Sequence, residues 1–423
     1  MTGGAWSTAT EEGAEAIHDR LPRRALPIAT ACFAVLLFSA NLATPLYAVY
    51  EKRFAFSPLV VTLIFAIYAL VLVPSLLAFG QLADQFGRKP MMIAGLAIAM
   101  VGLALFAAAQ GVWWLIGARI CQGIAQGAMS GAATAALTDA YTGPDVRRPA
   151  LLASLAQAGG AAGGPLVAGC IAQWSFWPTR SPYLLGIVAC LLLLVALVVT
   201  DIGHAPTRQE AEERHWRIRR PRVPRAIRAD FARVAITAAA AWAVAGALFL
   251  AVMPAYAASI VGTTNLGVLG AITALMLTSS CVMQIAVRRG APAALAQGVG
   301  LLLLAAGLGG LVAADPTHLP WLLIVSAVVA GCGHGLAALA AQDDLTRIAP
   351  DEARAEVSAA FYVCIYLGVS VPAIGIGLVT TLSGSLSTGI HAFALVTGLV
   401  AVITAGWHRA HARDAGGYLP SRG

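Results

Sequence analysis

Runs of about twenty apolar residues, nearly free of charge, recur along the whole 423-residue chain. A helix of that length crosses the roughly 30 Å hydrocarbon core of a bilayer. Within lipid every backbone polar group must be paired internally, so only helices or closed barrels can span it. These runs lack the in–out alternation of barrel strands. Hydrophobic residues make up 59% of the chain and charged residues 11%, against about 25% charged in soluble proteins. A water-soluble core could not hide that much apolar surface, because burial capacity saturates as a domain grows. The expected class is an all-α polytopic membrane protein.

About twelve runs are discernible: 27–50, 58–80, 91–109, 112–138, 149–172, 183–200, 233–255, 266–287, 293–313, 319–341, 356–380 and 389–407. The first is too long and too interrupted by proline for a cleaved signal, and is expected to be retained.

The formal charge is +7, which on its own could suggest a polyanionic partner. Its placement points elsewhere. With the N-terminus in the cytoplasm and the spans alternating, all but Lys52, Arg53, Arg180 and Arg119 of the 27 basic residues fall in inner segments or tails. That is the positive-inside asymmetry, so the basic excess orients the chain and implies no nucleic acid. Both termini are expected to be cytoplasmic, in the inner cell membrane. The cluster "RHWRIRRPRVPR" is placed to meet anionic headgroups. Seven cysteines lie in the spans without CxxC spacing. They read as small packing residues, with neither a disulfide framework nor a metal site.

The longest polar segment, 201–232, separates six spans from six and is rich in Arg, Pro and Glu. The expected organisation is a tail (1–26), a six-helix bundle (27–200), an Arg-rich linker (201–232), a second bundle (233–408) and a C-terminal tail (409–423). The halves echo each other. Pro144, Asp145 and Arg148 follow the fourth run, and Pro350, Asp351 and Arg354 follow the tenth, 206 positions later. Pro165 and Pro372 interrupt the next run of each half at an offset of 207. Asp84 and Arg88-Lys89 near the end of the second run match Gln284 and Arg288-Arg289 at an offset of 200. Such repeats mark secondary transporters whose cargo cavity lies between the halves.

Three motifs sharpen this. "GQLADQFGRK" contains Gly80, Leu82, Ala83, Asp84, Gly87, Arg88 and Lys89. It resembles the signature loop of the major facilitator superfamily, between helices two and three, with Gln85 where the family usually has Arg. The resemblance implies a major facilitator fold of two pseudo-symmetric six-helix bundles. Gly80 would allow close helix approach, and Gly87 a tight turn. Asp84 could face the N-terminus of a helix, which in the family is the eleventh. Gly80, Asp84, Gly87, Arg88 and Lys89 are therefore the expected gate. The second copy lacks the acid, so the latch should be one-sided. The alternative is a turn carrying topology charges.

"RICQGIAQG" in the fourth run resembles the family's R-x-x-q-G-x-g motif through Arg119, Gln122 and Gly123, with Ala125 in place of the second glycine. An arginine inside the bilayer costs about 3 kcal/mol or more, so it should face a cavity or a partner. It would tune a proton or bind an anion; otherwise it would snorkel toward the outer surface. "GGAAGGPLVAG" in the fifth run resembles the antiporter motif through Gly160, Gly164, Pro165 and Gly169, with Ala168 replacing one glycine. In the family that motif accompanies export in exchange for protons; the bland reading is ordinary small-residue packing.

No Asp or Glu lies in the middle of any run, which argues against a polycationic cargo. His334 is the most central titratable side chain besides Arg119, and with it is the candidate for proton coupling. Family resemblance makes helices one, four, seven and ten the cavity wall. That nominates Asn41, Tyr47, Gln122, Gln126 and Trp242, with Tyr68, Tyr362 and Tyr366 as further wall contacts. The alternative for Asn41 is a hydrogen bond to the carbonyl that Pro45 leaves unpaired. The expected protein is a monomeric secondary transporter without cofactor, exporting a small organic molecule with protons as partner. The rival is a symporter or uniporter importing a sugar or organic acid. A membrane-embedded enzyme or receptor fits less well, because no nucleophile–base pair, H-E-x-x-H or phosphate loop is present.

Overall fold

A computed structural model describes residues 24–145, 148–200, 221–287 and 293–416. Most of the expected N-terminal tail, the linker through residue 220, Arg288-Arg289 and the last seven residues lie outside them. Among the described residues, eleven helices are long and apolar enough to cross a membrane. Val112–Ala140, a helix of 29 residues, is not in that set. Its Arg119, Gln122, Gln126 and Asp139 lower its hydropathy, and the first three are buried within the bundle. With it the spans number twelve, as the runs predict.

The helices overrun the apolar runs, because a helix continues through the polar interface. The eleventh span is Arg354–Ser383 and the twelfth Leu386–Gly416. The start of the expected C-terminal tail is therefore helical. Pro165 and Pro372 sit inside their helices.

Two spans are broken where one helix was expected. The first comprises Ala25–Asn41, a 3-10 turn at Thr44–Leu46 and Tyr47–Phe54. The seventh comprises Arg228–Trp242, a π-helical stretch Ala243–Leu250 and Met253–Val261. Pro45 and Pro254 sit at these breaks, 209 positions apart. Each lacks the N–H that would continue the helical ladder. π-Helical stretches recur at functional sites.

The first span packs on the fourth, fifth and sixth, and the second on the fourth. In the other half the tenth packs on the seventh, eighth and ninth, and the twelfth on the ninth and eleventh. Two long contacts join the halves: second span with eleventh, and fifth with eighth. The fifth–eighth contact brings backbone to backbone. A Cβ on Gly270 would strike the Pro165 carbonyl and lie 3.4 Å from Gly169 Cα. Only glycine allows that approach.

Candidate transport site and gates

The face where the first span begins is termed the inner face, after the charge-based expectation. Two chambers lie between the halves. The outer one encloses about 450 Å³ and is lined by Thr44, Tyr47 and Glu51 of the first span, Thr62 of the second, Pro254 of the seventh and Thr380 of the eleventh. The central one encloses about 70 Å³. Its wall includes Asn41, Tyr68, Trp242, His334, Tyr362 and Tyr366. Ligand pockets typically measure about 300–1,000 Å³, and the central chamber is well below that range.

Of the nominated wall residues, Asn41, Trp242, Tyr362 and Tyr366 line the central chamber, together with His334. Tyr47 lines the outer chamber instead. Gln122 and Gln126 are buried and line neither. Gln126 Nε2 donates to Ser130 Oγ at 3.0 Å. Asn41 Nδ2 donates to the Leu37 carbonyl at 2.8 Å, one turn back, and not to a carbonyl freed by Pro45.

Arg119 is 1% exposed, so it does not snorkel. Its Nε donates to Tyr47 Oη at 2.6 Å, and Nη2 also donates to that oxygen. Nη1 donates to the Ala40 carbonyl at 2.7 Å and to Gln122 Oε1 at 2.8 Å. Gln122 in turn donates to the Ser39 carbonyl at 3.2 Å. The rings of Tyr47, Phe65, Tyr68 and Phe106 stand 5.4 to 5.7 Å from the guanidinium carbon. Among the described residues no carboxylate pairs with it. Hydrogen bonds and four π faces hold this buried cation in place of a counter-ion. The break in the first span makes this possible, by turning Tyr47 and the Ala40 carbonyl toward the fourth span.

His334 belongs to a chain that crosses the halves. Ser154 Oγ of the fifth span donates to Gln284 Oε1 of the eighth at 2.6 Å. Gln284 Nε2 donates to Ser280 Oγ at 3.1 Å. Ser280 Oγ lies 2.8 Å from His334 Nδ1 on the tenth span. His334 is 1% exposed, and its Nε2 has no hydrogen-bond partner. The Trp242 ring meets the imidazole edge to face, with centroids 5.0 Å apart.

At the inner face, Gly87 links the second and third spans with φ +89°, a conformation that L side chains avoid. Arg88 forms an ion pair with Asp139 and donates to the Ala135 carbonyl at 2.9 Å, both on the fourth span. Lys89 Nζ donates to the Val198 carbonyl at 2.9 Å, at the end of the sixth. These contacts stay within the first half. The side chain of Asp84, the expected latch, lies outside what the structure describes, as do the surroundings of Gly80.

The fifth-span glycines divide their work. Gly160 and Gly164 abut the first span at the Ala34 and Phe38 carbonyls. Gly169 abuts the eighth at the Leu266 carbonyl. The motif therefore touches the neighbour within its half and the opposite half at once.

Ser154, Gln157 and Gln342 also line the central chamber, as does Gln284. None was singled out as a wall residue from sequence. A signal existed for three of them: Ser154, Gln157 and Gln284 are polar residues within apolar runs, where polar groups act as interhelical hydrogen bonders, whereas Gln342 opens the polar stretch Gln342-Asp343-Asp344.

A Major Facilitator Superfamily model matches residues 29–373. The chain is 25% identical over 150 residues to the Bacillibactin exporter of Bacillus subtilis, covering 34% of this chain and 37% of that one. It is 30% identical over 181 residues to the multidrug efflux pump LfrA of Mycolicibacterium smegmatis, covering 42% of this chain and 35% of that one. The matched stretches thus span little more than a third of these relatives. Among solved structures, a POT family transporter in complex with 5-aminolevulinic acid superposes with a TM-score of 0.75 at 13% identity, covering 93% of this chain and 99% of that one. A bacterial homologue of the human lysosomal transporter Spinster, inward-facing and occupied, gives 0.66 at 15% identity, covering 92% and 96%. Twelve helices in two halves, chambers between them and a family match across most of the chain lead to one conclusion: this polytopic membrane protein is a transporter of the Major Facilitator Superfamily.

Proposed function

We propose that the protein exports a small organic molecule across the cytoplasmic membrane in exchange for protons, by alternating access of the central chamber. The observation that carries the coupling is the chain from His334 through Ser280 and Gln284 to Ser154. With the Gln284 amide oriented as it is, Ser280 receives a hydrogen bond and can give its own proton to Nδ1, which leaves the ring hydrogen on Nε2. A doubly protonated imidazole must donate from Nδ1. The chain then reverses most simply by an amide flip that makes Ser154 the acceptor. Proton uptake inside the chamber thereby reaches a contact between the halves. Among the described residues no Asp, Glu, Lys or Arg lines the chamber, so His334 is its candidate proton carrier.

Export is supported by the fifth-span motif, seated between the first and eighth spans, and by relatives named as an exporter and an efflux pump. Arg119 positions Tyr47 in the partition between the chambers. Asp84, Arg88 and Lys89 serve the inner gate in this reading, and both termini lie in the cytoplasm.

The test uses purified protein in vesicles acidic inside. Compound should accumulate while the lumen pH rises. Compound leaving together with protons would replace export by symport, and flux indifferent to the gradient would remove the coupling.

A further inference from the structure

We infer that the central chamber takes an uncharged cargo: a small molecule with a flat apolar face and hydroxyl, amide or carbonyl groups at its edge. This rests on the chamber being the cargo site of the proposed exporter, and it specifies the charge and shape of what enters.

Desolvation is the first argument. Taking an ion out of water costs several kcal/mol even after relaxation, unless an opposite charge offsets it. The described wall has no carboxylate, lysine or arginine to do so, and in the proposed exchange His334 is neutral while cargo is bound. Arg119, the buried cation of the first half, does not line the chamber. It sits behind the rings of Phe65 and Tyr68, each 5.6 Å from its guanidinium carbon. Its donors are turned to Tyr47, Ala40 and Gln122. It cannot contact an anionic cargo, and its sign disfavours a cationic one.

The second argument is what the wall offers. The Gln157 amide, the Tyr68 and Tyr366 hydroxyls and the Trp242 indole N–H line the chamber and hydrogen-bond to no described residue. They come from both halves. All four residues are half-buried, and a ligand that covers their polar atoms without pairing with them would lose about 1–3 kcal/mol per group, so the wall selects a ligand with matching donors and acceptors. Each is neutral, and three are aromatic. Rings flanked by neutral donors and acceptors suit a flat molecule with a polar edge.

Three compounds that share a nitrophenyl ring test this: 4-nitrophenyl β-D-glucoside (uncharged), 4-nitrophenyl sulfate (anion) and 4-nitrobenzyl-trimethylammonium (cation). The nitrophenyl ring quenches tryptophan emission, and Trp242 stands in the wall. In detergent at constant pH, the glucoside should quench saturably and bind at least about tenfold tighter than either ion. Trp242→Phe should remove that quench. Gln157→Ala should weaken glucoside binding about tenfold, and Gln157→Glu should shift preference toward the ammonium compound. Equal or tighter binding of either ion, or no saturable quench by the glucoside, overturns the inference. Equilibrium binding is blind to direction and to protons. A failed ranking beside intact proton exchange in vesicles removes only the cargo class; an intact ranking beside failed exchange removes only the exporter reading.

Discussion

Ser154 on the fifth span and Gln284 on the eighth meet across the two halves, hydroxyl to amide oxygen, at 2.6 Å. The bond lies toward the inner end of both helices, while Gly169 and Gly270 bring the same two helices together toward the outer end. One end of this seam is held by a hydrogen bond that can be remade, the other by backbone contact that only glycine permits. Ser154→Ala removes about 1 kcal/mol of net stabilisation from the state with the inner end closed. That corresponds to roughly a fivefold rise in the inner-open population. Spin-label distances across the inner face should show it, and an unchanged distribution would mean the bond does not hold the seam.

Gly270→Val places a branched side chain against the Pro165 carbonyl. Overpacking costs about 1–3 kcal/mol, and here the strain falls between the halves. Transport should drop at least about tenfold while each half still inserts. Normal flux would show that the seam opens freely at this point.

Arg119→Lys keeps the charge but loses the planar fork that grips Tyr47, Ala40 and Gln122 together. The melting temperature of the purified protein should fall by several degrees, with flux reduced. Tyr47→Phe, which removes only the shared acceptor oxygen, should reproduce a large part of the effect. A Tyr47→Phe protein as stable as the parent would leave the guanidinium held by the carbonyl and Gln122 alone.

His334→Gln keeps a hydrogen-bonding side chain beside Ser280 but cannot take a proton near neutral pH. Downhill cargo flux should persist while its response to an imposed pH gradient disappears. A gradient response equal to the parent's would move the proton site elsewhere.

The Arg88–Asp139 pair ties the loop after the second span to the fourth. Arg88→Asp should lower flux about tenfold by setting two carboxylates together. The exchange Arg88→Asp with Asp139→Arg should restore part of it. No restoration would assign Arg88 to a partner other than Asp139.

Much of the scaffold was legible as text. Spans followed from apolar length, and Gly87 from the turn it must make. The fourth span was found by its run even though its buried polar residues keep it off a purely hydropathic count. The π-helical stretch in the seventh span was not legible, because "AVAGALFL" carries no residue that marks it. Gln284 was noticed as a repeat landmark, yet its partners stand 130 positions before it and four positions before it on its own helix. Asn41 lines the central chamber, but its hydrogen bond goes to the Leu37 carbonyl and not to the one that Pro45 leaves unpaired.

Order along the chain thus accounts for how many helices form, where they turn and which stretches carry the family motifs. Lipid imposes these locally, residue by residue, through apolar length and the cost of an unpaired backbone group. Which side chains meet is another matter. Arg119 and Tyr47 are 72 positions apart, and Ser280 and His334 are 54. Their meeting depends on how each helix is rotated about its axis and how closely its neighbours approach. Those angles come from packing of the whole bundle, and no local pattern encodes them.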